Sequence, residues 1–284
     1  MEKKKNDFIA QGSILAVASI LVRVMGMIYR IPMTAIIGDK GNGFYSYAYS
    51  VYTILLLLSS YSLPLAVSKM VSAKAQLGQW RNVKRVFICA IAFAIGIGTT
   101  FGLIVLIGAQ FFTRVFFHSE LAAIALRFMA PTILIMALLG VFRGFFQGLQ
   151  NTLPTAVSQI VEGLINAIMS VVFAYFLFDF GHGMDAASGT TDLGYAWGAA
   201  GGAIGTGAGA LAGLIFCFIL FVAYRKILAV NISRDKTGTQ QEYGDIFRLM
   251  LSIALPVILS TALYNLIELV DGSSVSYTHL TLPT

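Results

Sequence analysis

The chain has 284 residues, of which 57% are hydrophobic and only 11% are charged, and its formal net charge is +6. An ordinary soluble domain carries about 25% charged residues. This composition, with a mean hydropathy of +0.81, predicts a polytopic membrane protein. The basic residues punctuate apolar runs instead of forming a patch on a soluble surface, which argues against nucleic acid as a partner.

Seven apolar runs are long enough to cross a bilayer as helices, which takes about 20 residues. They are residues 9–37, 44–68, 86–112, 121–147, 154–178, 194–224 and 246–270. The sequence therefore predicts an all-α bundle of membrane-spanning helices. Pro64 lies near the end of the second run, where neighbouring helices make a kink tolerable, and Pro154 fits the first turn of the fifth.

The connections between these runs differ in their content of lysine and arginine. If the N-terminus is cytoplasmic, the bases of residues 3–5, 69–85 and 225–248 all lie on the inner side of the membrane. Cytoplasmic connections of membrane proteins carry such an excess. The pattern predicts a multi-pass protein with its N-terminus in the cytoplasm.

Three connections have their own predictions. Residues 69–85 mix apolar and basic side chains, which is typical of either a short interfacial helix or a solvated basic loop. Residues 179–193 are rich in Gly, Asp, Ser and Thr and predict a flexible outer loop. Residues 229–244 form the most polar internal stretch and predict a linker between two lobes.

Two arginines, Arg23 and Arg30, lie inside the first apolar run, where a charge costs about 2.5–3.5 kcal/mol on insertion. Their separation is about two helical turns, so both guanidinium groups project from nearly one face. We expect that face to line the inside of the bundle or a water-filled cavity. The natural partner of the pair is an anion.

A polar stripe marks the fifth run, where Gln159, Glu162 and Asn166 follow one another at spacings of three and four residues on an otherwise apolar helix. Such a stripe faces a cavity or another polar helix. Two roles remain open for it: a proton- or cation-coupling site in the cavity, or a structural partner for Arg23 or Arg30.

Other polar and aromatic residues near the ends of the runs have simpler explanations. Arg127 and Arg143 are expected to reach the membrane interfaces by snorkelling. Tyr45 and Tyr61, at the two ends of the second run, fit the aromatic belts of a membrane protein.

Helix six carries a series of glycines at spacings of three and four residues, among them Gly198, Gly202, Gly205 and Gly209. This spacing lets helix backbones approach closely. We expect tight helix packing inside one lobe, with a homodimer face and a flexible moving helix as the alternatives.

No residue pattern in the chain indicates covalent catalysis. P-loop, HExxH and GxSxG motifs are absent, and the three histidines are scattered. Cys89 and Cys217 each lie in an apolar run and are interpreted as small packing residues. The sequence predicts no metal, no cofactor and no enzyme activity; it is typical of a transporter, which needs only a cavity and a binding site.

Three segments together resemble a known family: Ile20 to Arg30 (ILVRVMGMIYR), Ile37 to Tyr45 with its two glycine-containing turns, and Ser62 to Lys69 (SLPLAVSK). They resemble the polysaccharide flippases of the multidrug/oligosaccharidyl-lipid/polysaccharide (MOP) superfamily, in the branch of stage V sporulation protein B and the MurJ-like flippases. The resemblance extends from about residue 8 to residue 271.

The resemblance implies a MATE-like fold of two six-helix lobes around a central cavity. Such a protein moves a lipid-linked sugar across the plasma membrane by alternating access. The substrate expected in this branch is lipid II, the undecaprenyl-pyrophosphate-linked peptidoglycan precursor, and the driving force is H⁺, Na⁺ or the membrane potential. Cavity arginines on the first helix are required in MurJ-type flippases, and Arg23 and Arg30 match them here.

The same resemblance divides the chain. Residues 1–228 would form the N-lobe of six helices, 229–244 a cytoplasmic inter-lobe linker, and 245–271 the first helix of a truncated C-lobe. Residues 272–284 carry no charge, cap or stop signal and are expected to be a non-native tail.

Two competing functions are compatible with the residues. A MATE-type cation-coupled multidrug antiporter would use carboxylates of the first lobe, of which only Glu162 lies deep in the membrane. A non-transporting scaffold for cell-wall or spore assembly would use the arginines as structural braces. The arginines on the first helix favour the flippase, because a cation site there would need Asp or Glu.

Overall fold

A computed structural model describes residues 2–60 and 62–260, with side chains described from residue 12 onward except at position 188. The described chain folds into seven helices. They are α1 Glu2–Ser59, α2 Leu63–Gln76, α3 Trp80–Phe117, α4 Ala122–Gly148, α5 Leu153–Ser188, α6 Leu193–Arg234 and α7 Tyr243–Ser260. The described parts of the chain contain six stretches that are long and apolar enough to cross a membrane. The first of them, Gly12–Gln76, is long enough for two passages.

The first two passages form a helical hairpin that turns at Gly38. This residue interrupts α1 with φ 61° and ψ −177°, a backbone conformation that only glycine adopts without strain. Met33 and Ile37 before the turn and Tyr45 and Tyr52 after it belong to one buried apolar cluster. The two halves of α1 therefore lie side by side.

The helix α1 ends at Ser59, and a new helix, α2, begins at Leu63. Pro64 stands in the first turn of α2, where a proline's missing N–H costs no hydrogen bond, so a break has replaced the expected kink. A face of α4 packs here, and a Cβ on Gly144 would lie 2.7 Å from the Pro64 carbonyl oxygen. The connection predicted at residues 69–85 is mostly helical. Its first part belongs to α2, its last part belongs to α3, and a turn at 77–79 joins them.

An aromatic cluster holds α3, α4 and α6 together. Phe87 of α3 stacks on Phe221 of α6 at a centroid separation of 4.4 Å, and it meets Phe142 and Phe145 of α4 edge-on at 5.5 Å and 5.0 Å. Each such pair adds about 0.5–1.5 kcal/mol to the burial of its area. This cluster forms the half of the core that lies near the end with the connections α2–α3, α4–α5 and α6–α7.

The prediction of a flexible outer loop at 179–193 is wrong over most of its length, because α5 continues to Ser188. Its end is tied to the start of α6 by Asp185, whose carboxylate accepts hydrogen bonds from the backbone N–H groups of Leu193 (3.0 Å) and Gly194 (2.9 Å). These two donors belong to the first turn of α6, where N–H groups lack helical partners. Pro154 lies in the first turn of α5, as expected.

The segment between α6 and α7 is shorter than the predicted linker 229–244, because α6 extends to Arg234. Its chain is bound to the first turns of α3. The Asp235 carboxylate accepts a hydrogen bond from the Arg81 N–H (2.9 Å), and the buried Asn82 side chain donates to the Thr239 carbonyl (3.1 Å) and accepts from the Gln241 N–H (3.0 Å). These hydrogen bonds fix the connection between α6 and α7 to the first turn of α3, so it is an ordered segment.

The division of the chain into two lobes remains a prediction. The last part of the seventh predicted helix, up to residue 271, and the expected tail at 272–284 lie outside the described residues, as does Tyr61.

Candidate functional site

A cavity of about 610 Å³ opens between both halves of α1 and the helices α5 and α6. Its volume falls within the range of about 300–1,000 Å³ that is usual for ligand sites. Its polar and ionisable lining residues are Arg23, Tyr29, Arg30, Tyr45, Tyr49, Tyr52, Glu162, Asn166 and Thr206. This combination of charged, hydroxyl and amide groups inside an apolar bundle marks it as the candidate functional site.

Arg23 and Arg30 lie on the same face of α1, as their spacing predicts, and both line the cavity. Both side chains are exposed. Among the described residues, neither arginine forms an ion pair or a hydrogen bond with the protein. The two guanidinium groups therefore bring positive charge to the cavity, and no described carboxylate pairs with them.

The carboxylate of the cavity, Glu162, is bound to a third arginine. The Arg143 Nη2 atom donates to Glu162 Oε2 at 2.7 Å, and Arg143 Nε donates to Ser158 Oγ at 2.9 Å. Arg143 has a relative exposure of only 9%. The prediction that Arg143 snorkels to the interface is thus wrong. Its guanidinium stays inside the bundle because the Glu162 carboxylate of the neighbouring helix α5 pairs with it there.

The polar stripe of α5 is split by this arrangement. Glu162 and Asn166 line the cavity, while Gln159 lies outside its lining and its buried Oε1 atom has no hydrogen-bond partner within the described residues. The Asn166 Oδ1 atom accepts a hydrogen bond from Ser170 Oγ at 2.8 Å. In the described part of the chain Glu162 pairs with Arg143, and not with Arg23 or Arg30 as one alternative expected. Its role as a coupling site remains a prediction.

Tyrosines form a wall of the cavity that sequence reasoning missed. Tyr45, expected in an aromatic belt, is buried, and its hydroxyl lies 3.3 Å from Thr206 Oγ1 of α6. Tyr49 stacks on it at 5.8 Å, and Tyr52 follows one turn later. Their spacings of four and three residues on one helix face were the available signal.

The glycines of α6 determine how closely α5 and α1 can each pack against α6. A Cβ on Gly205 would lie 2.2 Å from Ser170 Oγ, and one on Gly209 would lie 2.6 Å from the Glu162 carbonyl oxygen. Gly198 and Gly202 face α1, where a Cβ would come within 2.6 Å of Ile37 and 3.1 Å of Met33. These contacts hold the Glu162 turn of α5 against α6.

The described parts of the chain contain no cluster of side chains suited to bind a metal ion. No three His, Cys, Asp or Glu side chains lie together there as metal ligands. Cys89 and Cys217 are buried free thiols, in line with the packing role expected for them.

Helix content and membrane-length apolar segments define an all-α multi-pass membrane protein, and its cavity carries charged side chains. Solved structures have the same fold. A MOP superfamily transporter from Pyrococcus furiosus, for which a reverse polarity of the binding pocket has been described, aligns with a TM-score of 0.60 at 16% identity, covering 87% of this chain and 51% of that one. A crystal structure of a MATE protein aligns with a TM-score of 0.62 at 15% identity, covering 87% and 52%.

Residues 8–276 match the family described as "Polysaccharide biosynthesis protein", and the chain belongs to this family. It is 26% identical over 266 residues to stage V sporulation protein B of Bacillus subtilis (strain 168), covering 92% of this chain and 48% of that protein. It is also 26% identical over 267 residues to the lipid II flippase MurJ of the same organism, covering 90% and 47%. The chain thus spans about half the length of these curated relatives, and it is a MOP flippase-like protein.

Proposed function

We propose that this protein is an alternating-access flippase that moves an undecaprenyl-pyrophosphate-linked glycan, a lipid II-like cell-wall precursor, across the plasma membrane. One observation carries the proposal. Arg23 and Arg30 line the cavity without an ion-pair partner among the described residues, while the cavity carboxylate Glu162 is bound to Arg143. A cavity with two free guanidinium groups binds a diphosphate through charge-assisted hydrogen bonds, each worth about 1.5–3 kcal/mol.

The surroundings of the arginines suit the rest of such a substrate. Tyr49 and Asn166 present a ring and an amide to the cavity, and both groups are common partners of sugar hydroxyls and sugar ring faces. The described face of α1 next to the cavity is apolar and exposed, with Val24, Met27 and Ile31 among its residues. In this proposal a second lobe packs on that face and closes the cavity alternately toward each side of the membrane.

The orientation follows from the charges of the connections. The end of the bundle with the connections α2–α3 and α6–α7 carries exposed Arg81, Lys84, Arg225 and Lys226. By the positive-inside rule this end is cytoplasmic, which also places the N-terminus of α1 inside. The membrane potential or a gradient of H⁺ or Na⁺ then resets the transporter, since moving one charge across 100 mV is worth about 2.3 kcal/mol.

A MATE-type antiporter is the less favoured candidate. Its cation would need the Glu162 carboxylate, and that group already accepts a 2.7 Å hydrogen bond from Arg143. A cation added there would also face Arg23 and Arg30 in the same cavity. The charges of the site therefore support an anionic substrate.

Substitution of the cavity arginines tests the proposal. Arg23→Gln and Arg30→Gln in the full-length protein should each lower the flipping of a fluorescent undecaprenyl-diphosphate sugar in proteoliposomes at least about tenfold, because each removes a charge-assisted contact. The double variant should be inactive. The matched control is Arg225→Gln, an exposed arginine of α6 that is not part of the cavity lining. Wild-type flipping by the double variant would contradict the proposal.

A further inference from the structure

The contact between Arg143 and Glu162 has a fixed geometry. Ser158 Oγ accepts a hydrogen bond from Arg143 Nε at 2.9 Å while it donates its own proton to the Thr155 carbonyl at 2.8 Å. The hydroxyl is thus oriented by the backbone of α5, and it orients the planar guanidinium in turn. The Nη2 donor, which shares one edge of the guanidinium with the Nε donor, then points at Glu162.

Glu162 lies at the boundary between this buried pair and the cavity. Its side chain keeps 24% of its exposure, against 11% for Arg143, and it shares the cavity wall with Arg23 and Arg30. A carboxylate in a low-dielectric interior is strongly attracted to any nearby cation. Without Arg143, the cations available to it in the same cavity would be Arg23 and Arg30.

We propose that Arg143 is a positioning residue that holds Glu162 away from Arg23 and Arg30 and so keeps both cavity arginines free for a diphosphate. The inference rests on the proposed function. In this view a buried residue outside the cavity lining controls the charge of the cavity. Arg143 neutralises Glu162, so the positive charge that remains is that of Arg23 and Arg30, the two arginines that the substrate reaches.

A purely structural ion pair between α4 and α5 would behave differently. Breaking a buried pair from either side leaves an unpaired charge, so both single variants would lose stability and function alike. The proposed role predicts opposite signs. Arg143→Gln releases Glu162 to compete with the diphosphate, whereas Glu162→Gln removes the competitor and a negative charge from the cavity.

The experiment measures the affinity of the full-length protein in lipid nanodiscs for undecaprenyl diphosphate, with neutral undecaprenol as the probe for tail binding alone. We expect Arg143→Gln to weaken diphosphate binding about tenfold, Glu162→Gln to tighten it about threefold, and the double variant to bind within about threefold of wild type. Undecaprenol binding should not change. The control is Arg127→Gln, an exposed arginine of the same helix outside the cavity lining, which should bind like wild type.

Each outcome separates the two claims. Weaker binding by Glu162→Gln, or a double variant as weak as Arg143→Gln, overturns the positioning role. If Arg143→Gln does not fold, as judged by its elution and melting temperature, two criteria remain. Weaker binding by Glu162→Gln, or a double variant that binds more than about threefold more weakly than wild type, then overturns the positioning role. Wild-type protein that binds undecaprenyl diphosphate no better than undecaprenol overturns the proposed function itself.

Discussion

The contact between α5 and α6 at Gly205 allows a quantitative test of the packing. A Cβ at this position would lie 2.2 Å from Ser170 Oγ and 2.3 Å from the Ser170 backbone nitrogen, whereas ordinary van der Waals contact begins at 3.4 Å. Since a backbone atom cannot rotate away, Gly205→Ala must push the two helices apart by about 1 Å. Overpacking of this kind costs about 1–3 kcal/mol.

The upper end of this range applies, because the displaced partner is main chain. Alanine regains about 1 kcal/mol through its higher helix propensity, which leaves a net loss of about 2 kcal/mol. For a chain of this size, we expect the melting temperature (Tm) to fall by about 4–8 °C.

The assay is thermal unfolding of the purified protein in detergent, followed by light scattering and intrinsic fluorescence. The matched control is Gly96→Ala in α3, where an added Cβ meets no atom within 4 Å. It gains the same helix propensity without the clash, so its Tm should stay level or rise. Equal Tm values for Gly205→Ala and Gly96→Ala would refute the packing argument.

Two further predictions concern the turn in α1 and the connection between α6 and α7. Gly38→Ala should lower the Tm through backbone strain of about 1–3 kcal/mol, although an added Cβ would make only ordinary contact with the Tyr195 ring at 3.5 Å. The control Gly43→Ala, where an added Cβ meets no atom within 4 Å, should not lower it. A Gly38→Ala protein as stable as wild type would contradict the φ of 61° at this residue. Hydrogen bonds from the Arg81 N–H and from Thr237 lower the pKa of Asp235 from 3.8 to about 2, so its carboxylate stabilises the fold above pH 4 and this contribution is lost as the pH falls toward 2. Asp235→Asn should therefore lower the Tm at neutral pH but not near pH 2, whereas the exposed Asp245→Asn should follow wild type throughout; a pH-independent Tm difference for Asp235→Asn would contradict the assignment.

The membrane passages could be predicted from the sequence because a bilayer sets a minimum length for an apolar run. The ends of the helices could not. Polar residues such as Asp185 predict a loop, yet helices extend past the apolar region, and a carboxylate near a helix end accepts hydrogen bonds from free N–H groups.

The candidate site shows the same limit. The seven-residue spacing of Arg23 and Arg30 was enough to place both on one face, since it depends only on helix geometry. The partner of Glu162 was not predictable, because Arg143 lies on a different helix and pairing depends on how α4 and α5 cross. The tyrosine wall was missed for the related reason that an aromatic residue near the end of an apolar run has an ordinary interfacial explanation.

The attachment of residues 235–241 to α3 has a mechanical consequence. A linker with free main-chain groups acts as slack and transmits no force between the parts that it joins. Here Asn82 and Asp235 bind the connection at several points, and Arg85 adds hydrogen bonds to the Gln241 carbonyl and the Gln240 side chain. The connection is therefore fixed to α3. We expect a displacement of α7 to move the first turns of α3 and, through the Phe87 cluster, α4, the helix that carries Arg143.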